Sequence, residues 1–167
     1  YTGSPEILSG RVKTLHPKIH GGLLALRNDE DHMRQVDEHG IGLIDMVVVN
    51  LYPFEKVISK KKVLFEDAIE NIDIGGPTML RAAAKNFRHV AVVSNPGRYA
   101  ELMRELKSNS GMLSDTVLMN LAIETFGHTA RYDSVIFDFL KTRNNSDGFS
   151  GLPQEVSFSF IKDRDLR

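Results

Sequence analysis

Neither cysteine nor tryptophan occurs in the 167 residues. The missing cysteine excludes disulfides, thiolate zinc sites and cysteine nucleophiles, and removes any inference about redox compartment. Charge of either sign is not in excess: 21 Lys and Arg stand against 22 Asp and Glu, a formal net charge of -1. That balance leaves no broad basic face for a nucleic-acid backbone, so any phosphate bound is expected to be a small one. No apolar run reaches the ~18 residues of a membrane span. Tyr1-Thr-Gly-Ser-Pro5 does not read as a signal peptide, and a cytoplasmic location is expected. The Gly-x-Ser-x-Gly elbow and the Gly-x-x-x-x-Gly-Lys-Ser/Thr loop are both missing. A triad hydrolase and a P-loop nucleotidase are therefore poor readings.

The apolar share, 41%, suffices for one domain with a proper core. Ile44–Val49 and His89–Ser94 are short, β-branched and almost continuously apolar, the pattern of strands covered on both faces in a parallel sheet. Helical periodicity covers Asp29–His39, Leu64–Ile72, Thr78–Phe87, Arg98–Ser108 and Ser114–Lys141, with a break expected near Gly127. Alternation of this kind predicts an α/β fold. Both strands run into loops, Asn50-Leu-Tyr-Pro53 and Ser94-Asn-Pro96, which should face a cleft at the carboxyl edge of the sheet. Asn95 before Pro96 reads as a helix N-cap. A polar loop over 144–153 precedes Val156–Phe160, where apolar residues alternate with serine as in a strand with one buried face.

Two segments carry chemistry. Ser9-Gly-Arg-Val-Lys-Thr-Leu-His-Pro-Lys-Ile-His-Gly-Gly22 packs three cations and two imidazoles between glycines. Glycine allows a ligand close to the backbone, while Arg11, Lys13, Thr14, His16 and Lys18 offer donors to phosphate or to a developing oxyanion. In Ile72-Asp-Ile-Gly-Gly-Pro-Thr-Met-Leu-Arg-Ala-Ala-Ala-Lys85, two glycines precede a helix expected to open at Pro77. A helix N-terminus of that kind favours anions. Thr78, Arg81 and Lys85 then share one helical face, either as solvated cations or as part of the site. Asp73 can orient a lysine or accept a proton, and Lys85 beside Arg81 fits a lysine of lowered proton affinity. Tyr52 is either a proton donor in the cleft or an ordinary rim tyrosine. His16 and His20 lack a third ligand, and Pro17 opposes a helix through them, so no metal is expected. His128 and Tyr132 share a helical face and read as structural.

Five segments, Gly10–Pro17, Asn50–Phe54, Ile72–Gly76, Arg81–Asn86 and Phe126-Gly-His-Thr-Ala-Arg-Tyr-Asp133, occur in an order that resembles the inosine monophosphate cyclohydrolase domain of bifunctional purine biosynthesis enzymes. The resemblance spans nearly the whole chain. It implies a methylglyoxal synthase-like, three-layer αβα domain with a parallel sheet over residues 1–167. It also implies closure of the purine ring of a formamidoimidazole carboxamide ribotide with loss of water. By resemblance, Lys13, Tyr52, Asp73 and Lys85 are catalytic, while Arg11, Thr14, Asn50, Ile74, Gly75 and Gly76 contact substrate. A homodimer and a small purine ribotide are the implied partners. The cyclisation is expected to need no cofactor, 10-formyltetrahydrofolate serving only the formyltransferase domain of such enzymes. Against the family pattern, the chain is expected to lack the opening strand-helix segment with its phosphate contacts and to end at the junction to the formyltransferase domain. Weak nucleotide binding and slow turnover are the corresponding expectations. Two alternatives remain: a methylglyoxal synthase-like lyase acting on a triose phosphate, and a non-catalytic nucleotide-binding regulatory module.

Overall fold

The computed structural model describes residues 1–144, so the strand expected at Val156–Phe160 and the loop before it lie outside the described residues. Among the described residues the sheet has two strands, β1 (Met46–Val48) and β2 (Ala91–Val93), paired in parallel with Met46 opposite Ala91 and Val48 opposite Val93. The ladder continues at each end, where Ala91 N–H donates to Asp45 C=O at 2.9 Å and Val49 N–H to Val93 C=O at 3.0 Å. Both strands fall inside the β-branched runs that announced them. The α/β class with a parallel sheet is thus the observed one.

Seven α-helices accompany the strands among the described residues: α1 (Pro17–Leu24), α2 (Glu30–Glu38), α3 (Phe54–Ile58), α4 (Phe65–Glu70), α5 (Gly75–Lys85), α6 (Tyr99–Ser108) and α7 (Asp115–Asn144). Local chemistry sets several of their starts. Asp29 caps α2 by accepting from His32 N–H at 3.0 Å. His16 caps α1, its Nδ1 accepting from Lys18 N–H at 3.0 Å, and Pro17 takes the first helical position. Asn95 Oδ1 accepts from Gly97 N–H at 2.9 Å, which is the expected cap, but the turn it opens over Pro96–Arg98 is 3₁₀ before α6 begins.

Two boundaries differ from expectation. The helix after the paired glycines begins at Gly75 rather than Pro77, because Asp73 Oδ1 accepts from Gly76 N–H at 2.8 Å and fastens the first turn ahead of the proline. Pro77 remains within that turn, where a missing N–H costs nothing. The second difference is α7, which runs through Gly127 without a break. A glycine in a helix costs about 1 kcal/mol. Packing outweighs that here, since Leu121, Ala122, Thr125 and Thr129 are all buried and Leu121 and Ala122 belong to the core cluster with the strands.

The core joins these elements. Leu80, Ala83, Ala84, Val92, Val93 and Leu121 are essentially without solvent contact. The alanine run lets α5 sit close to both strands and to α7. Ser94 at the end of β2 meets Thr125 of α7, Oγ to Oγ1 at 3.2 Å, so the carboxyl edge of the sheet is pinned to the long helix.

Candidate active site

Beyond the carboxyl end of β1 lies a hollow of about 650 Å³. Three segments build it. The Gly10–Leu15 stretch supplies Arg11, Lys13 and Thr14; the loop after β1 supplies Asn50 and Tyr52; the turn into α5 supplies Asp73, Ile74, Gly75 and Gly76. All the residues anticipated as substrate contacts line this one cavity, with Lys13, Tyr52 and Asp73 among them. The parallel pairing places the loop after β1 beside the N-terminus of α5, and the Gly10–Leu15 stretch, some sixty residues before that helix, closes the third side.

The backbone shows why glycine is needed. Gly10 has φ +90°, and a Cβ on it would stand 2.8 Å from Glu6 Oε1 and 3.0 Å from Lys13 Cε. At Gly76 a Cβ would stand 2.5 Å from Asp73 Oδ2 and 2.9 Å from Leu51 Cδ2. The closeness there is what lets the Asp73 carboxylate fold back over the helix start. The same Oδ2 is 3.5 Å from Tyr52 N, a long contact that leans the carboxylate towards the loop after β1, while Oδ1 accepts from Gly76 N–H.

Both cations at the mouth are held by carboxylates. Lys13 Nζ stands 3.3 Å from Glu6 Oε1. The Arg11 guanidinium grips Glu70 through two nitrogens, Nε at 3.2 Å from Oε2 and Nη2 on Oε1. The bond to Glu70 raises the Arg11 pKa further, and the same bond holds the Glu70 carboxyl below its usual range. These side chains are more than half exposed, so the pairs are displaceable by an incoming anion.

Lys85 does not join this group. It ends α5, whose ten further residues after Gly75 rise about 15 Å at 1.5 Å each. It lines instead a second hollow of about 600 Å³ between α1, α5 and α7, together with Thr78 and Arg81 on the shared face that their spacing foretold. The walls there are apolar, among them Ala82, Ile123 and Phe126, and the Arg81 guanidinium sits 5.6 Å from the Phe126 ring centre. The Asp73–Lys85 pairing expected from sequence is therefore not formed within this chain. His16 and His20 do not form a ligand pair either: the first is spent on the cap of α1 and the second has its Nε2 buried without a partner among the described residues. Among the described residues no cluster of three metal-ligating side chains occurs.

One residue read as structural reaches the site. Tyr132, in the middle of α7, accepts at its hydroxyl from Asp73 N–H at 2.8 Å. The spacing of Tyr132 from His128 gave no hint of this bond; its only signal was its place within Phe126–Asp133.

Known proteins resemble this chain in sequence and fold. The family model described as AICARFT/IMPCHase bienzyme matches residues 83–167, and the MGS-like domain model matches residues 1–78. A bifunctional purine biosynthesis protein PurH of Neisseria meningitidis is 51% identical over 173 residues, an alignment covering 100% of this chain and 32% of that protein. The protein of the same name in a Thermoanaerobacter species is 50% identical over 99% of this chain and 32% of its own length. The chain thus spans about a third of the length of the curated relatives it matches. Among solved structures, the crystal structure of ForH superposes with a TM-score of 0.69 at 34% identity, covering 83% of this chain and 71% of that one.

Proposed function

The chain belongs to the AICARFT/IMPCHase bienzyme family, and from that premise we propose that its first hollow closes the purine ring of 5-formamidoimidazole-4-carboxamide ribotide, giving inosine monophosphate and water. The observation that carries the proposal is the convergence of Lys13, Tyr52 and Asp73 with the N-terminus of α5 on one cavity of nucleotide size. In the reaction the carboxamide nitrogen attacks the formyl carbon. A C–N bond forms, the carboxamide nitrogen and the formamido nitrogen each give up one proton, and the former carbonyl oxygen takes up both and leaves as water as its C–O bond breaks. Lys13 would meet the negative charge as it develops on that oxygen. Asp73, fixed over the helix start, would take the proton from nitrogen, and Tyr52 would help the oxygen depart. Arg11, Thr14, Asn50 and the backbone of Ile74, Gly75 and Gly76 would hold the ribotide, the phosphate drawing on Arg11 and on the amides that open α5.

Both reacting groups belong to one molecule, so alignment is the main requirement and the step calls for no metal or organic cofactor. Formyl transfer from 10-formyltetrahydrofolate, the other activity named in the bienzyme, is not assigned to either hollow. On the same premise we infer a small purine ribotide as substrate, a homodimer as the working form and the cytoplasm as the compartment. No helix among the described residues is long and apolar enough to cross a membrane.

The test is formation of inosine monophosphate from the synthetic formamido ribotide by the purified protein. Asp73→Ala and Lys13→Ala are expected to lower kcat by about 100-fold or more. Equal rates in wild type and both variants would end the proposal. Lys85→Ala, which removes a side chain seated outside the first hollow, separates a reaction confined to that hollow from one that recruits the second.

A further inference from the structure

We propose that Tyr132 of α7 is the positioning residue of the candidate site, holding the Asp73 carboxylate in place through the Asp73 backbone. The inference rests on the reading of Asp73 as the proton acceptor and goes beyond it by naming what fixes Asp73.

Asp73 lies between α4, which ends at Glu70, and α5, which begins at Gly75. Asn71 and Ile72 N–H still bond back to Ala68 and Ile69 of α4, and Thr78 N–H of α5 bonds to the C=O of Ile74, the residue that precedes that helix. The Asp73 amide belongs to neither ladder. It donates instead to the Tyr132 hydroxyl, 59 residues away, at 2.8 Å. An N–H that close to the core needs an acceptor, and the phenol is the one it has.

The phenol is itself held. The Tyr132 ring meets Phe54 edge to face, centres 6.3 Å apart at 67°, and Phe54 is 1% exposed. Phe54 in turn meets Phe139, one α7 turn pair further on, at 5.6 Å and 87°. An aromatic cluster on α3 and α7 thus presents one hydroxyl, at a fixed height, to the loop that carries Asp73. Burial raises the Tyr132 pKa above its ordinary 10.0, so the group stays a neutral hydroxyl across the physiological range.

The consequence is mechanical. With its N–H anchored to α7 and its carboxylate folded onto Gly76 N–H at 2.8 Å, Asp73 is fixed at both ends. A carboxylate so fixed keeps the alignment that ring closure needs, whereas a loop free to swing by about 1 Å forfeits much of the rate.

Tyr132→Phe removes the acceptor and keeps the ring against Phe54. The expected results are amide exchange at Asp73 faster by about tenfold or more, with the buried face of α7 still protected, and a kcat about tenfold lower with KM within about twofold. Leu102→Ala on α6 is the control, since it opens a cavity at a core residue 4% exposed and leaves Tyr132, Phe54 and both hollows untouched. It is expected to lower Tm at least as far as Tyr132→Phe while sparing kcat. Unchanged exchange at Asp73 in Tyr132→Phe, or the same kcat loss in Leu102→Ala, overturns the inference. The exchange is read on the unliganded protein, so a wild type that forms no inosine monophosphate refutes the proposed reaction alone, and the anchoring of Asp73 is still decided by exchange.

Discussion

Arg11 holds Glu70 across the mouth of the first hollow, through two guanidinium nitrogens on two carboxylate oxygens. The arginine offered to a phosphate is therefore already engaged, and binding exchanges one anion for another. Glu70→Gln removes the competing charge and keeps the shape. The affinity for inosine monophosphate, measured by calorimetry at low salt, is expected to rise about two- to fivefold, the range of an exposed ion pair. The gain should shrink as salt is added. A loss of affinity in Glu70→Gln would show that Glu70 itself contacts the ligand.

Asn86 supplies a different kind of prediction, because it is 5% exposed and its amide donates to the carbonyls of Leu23 at 2.8 Å and Ala25 at 3.0 Å. It also caps the C-terminus of α5, its own carbonyl accepting from His89 N–H at 2.9 Å and Val90 N–H at 3.0 Å. One side chain thus ties the end of α1 to the turn that leads into β2. Asn86→Ala strands two buried carbonyls and is expected to cost about 2 to 3 kcal/mol in urea unfolding. A cost near zero would mean that water takes the place of the amide.

These two cases show what the sequence reveals and what it hides. The strands were legible because Ile44–Val49 and His89–Ser94 are β-branched runs whose burial is a local property of composition. The glycine-bearing segments of the site were legible because backbone freedom and clustered donors are also local. The continuity of α7 was not, since the penalty of Gly127 can be weighed only against the packing of Thr125 and Thr129, which depends on distant partners. Lys85 misled for a geometric reason. Asp73 and Lys85 are twelve positions apart in a line of text, but helical rise carries the second to the opposite end of α5. Tyr132 escaped for the reverse reason, the fold bringing together two residues 59 positions apart.

His128 gives a pH prediction. Burial lowers its pKa below the ordinary 6.5, nearby Arg131 adds to that, and Glu124 opposes it. The folded state therefore disfavours the imidazolium, and the unfolded chain binds the extra proton more readily. Stability is fully present above about 6.5 and is lost as pH falls through that value towards the lower folded-state pKa. Melting of wild type and His128→Gln between pH 8 and pH 5 checks this. Wild type is expected to lose more Tm on acidification than the variant, by a modest margin because the ring is only partly buried. Parallel curves would rule the assignment out.

Gly76→Ala tests the site and the fold together. The added methyl would stand 2.5 Å from Asp73 Oδ2 and 2.9 Å from Leu51 Cδ2, so the carboxylate or the leucine must move. Leu51 packs on the core cluster and has little room, which directs the displacement to Asp73. Overpacking of this size costs about 1 to 3 kcal/mol, and Ala itself favours the helix, so the protein is expected to fold with a lowered Tm. Its kcat is expected to fall towards that of Asp73→Ala, because the displaced carboxylate loses its bond to Gly76 N–H. Gly75→Ala is the informative companion. There the methyl meets only Thr14 Oγ1, at 2.6 Å, a side-chain tip that can turn away. It should disturb the ribotide contact rather than the proton acceptor, raising KM and leaving kcat largely intact. Equal effects of the two substitutions on kcat and KM would mean that the glycines serve only the backbone turn, and that the Asp73 carboxylate does not depend on the space that Gly76 leaves for it.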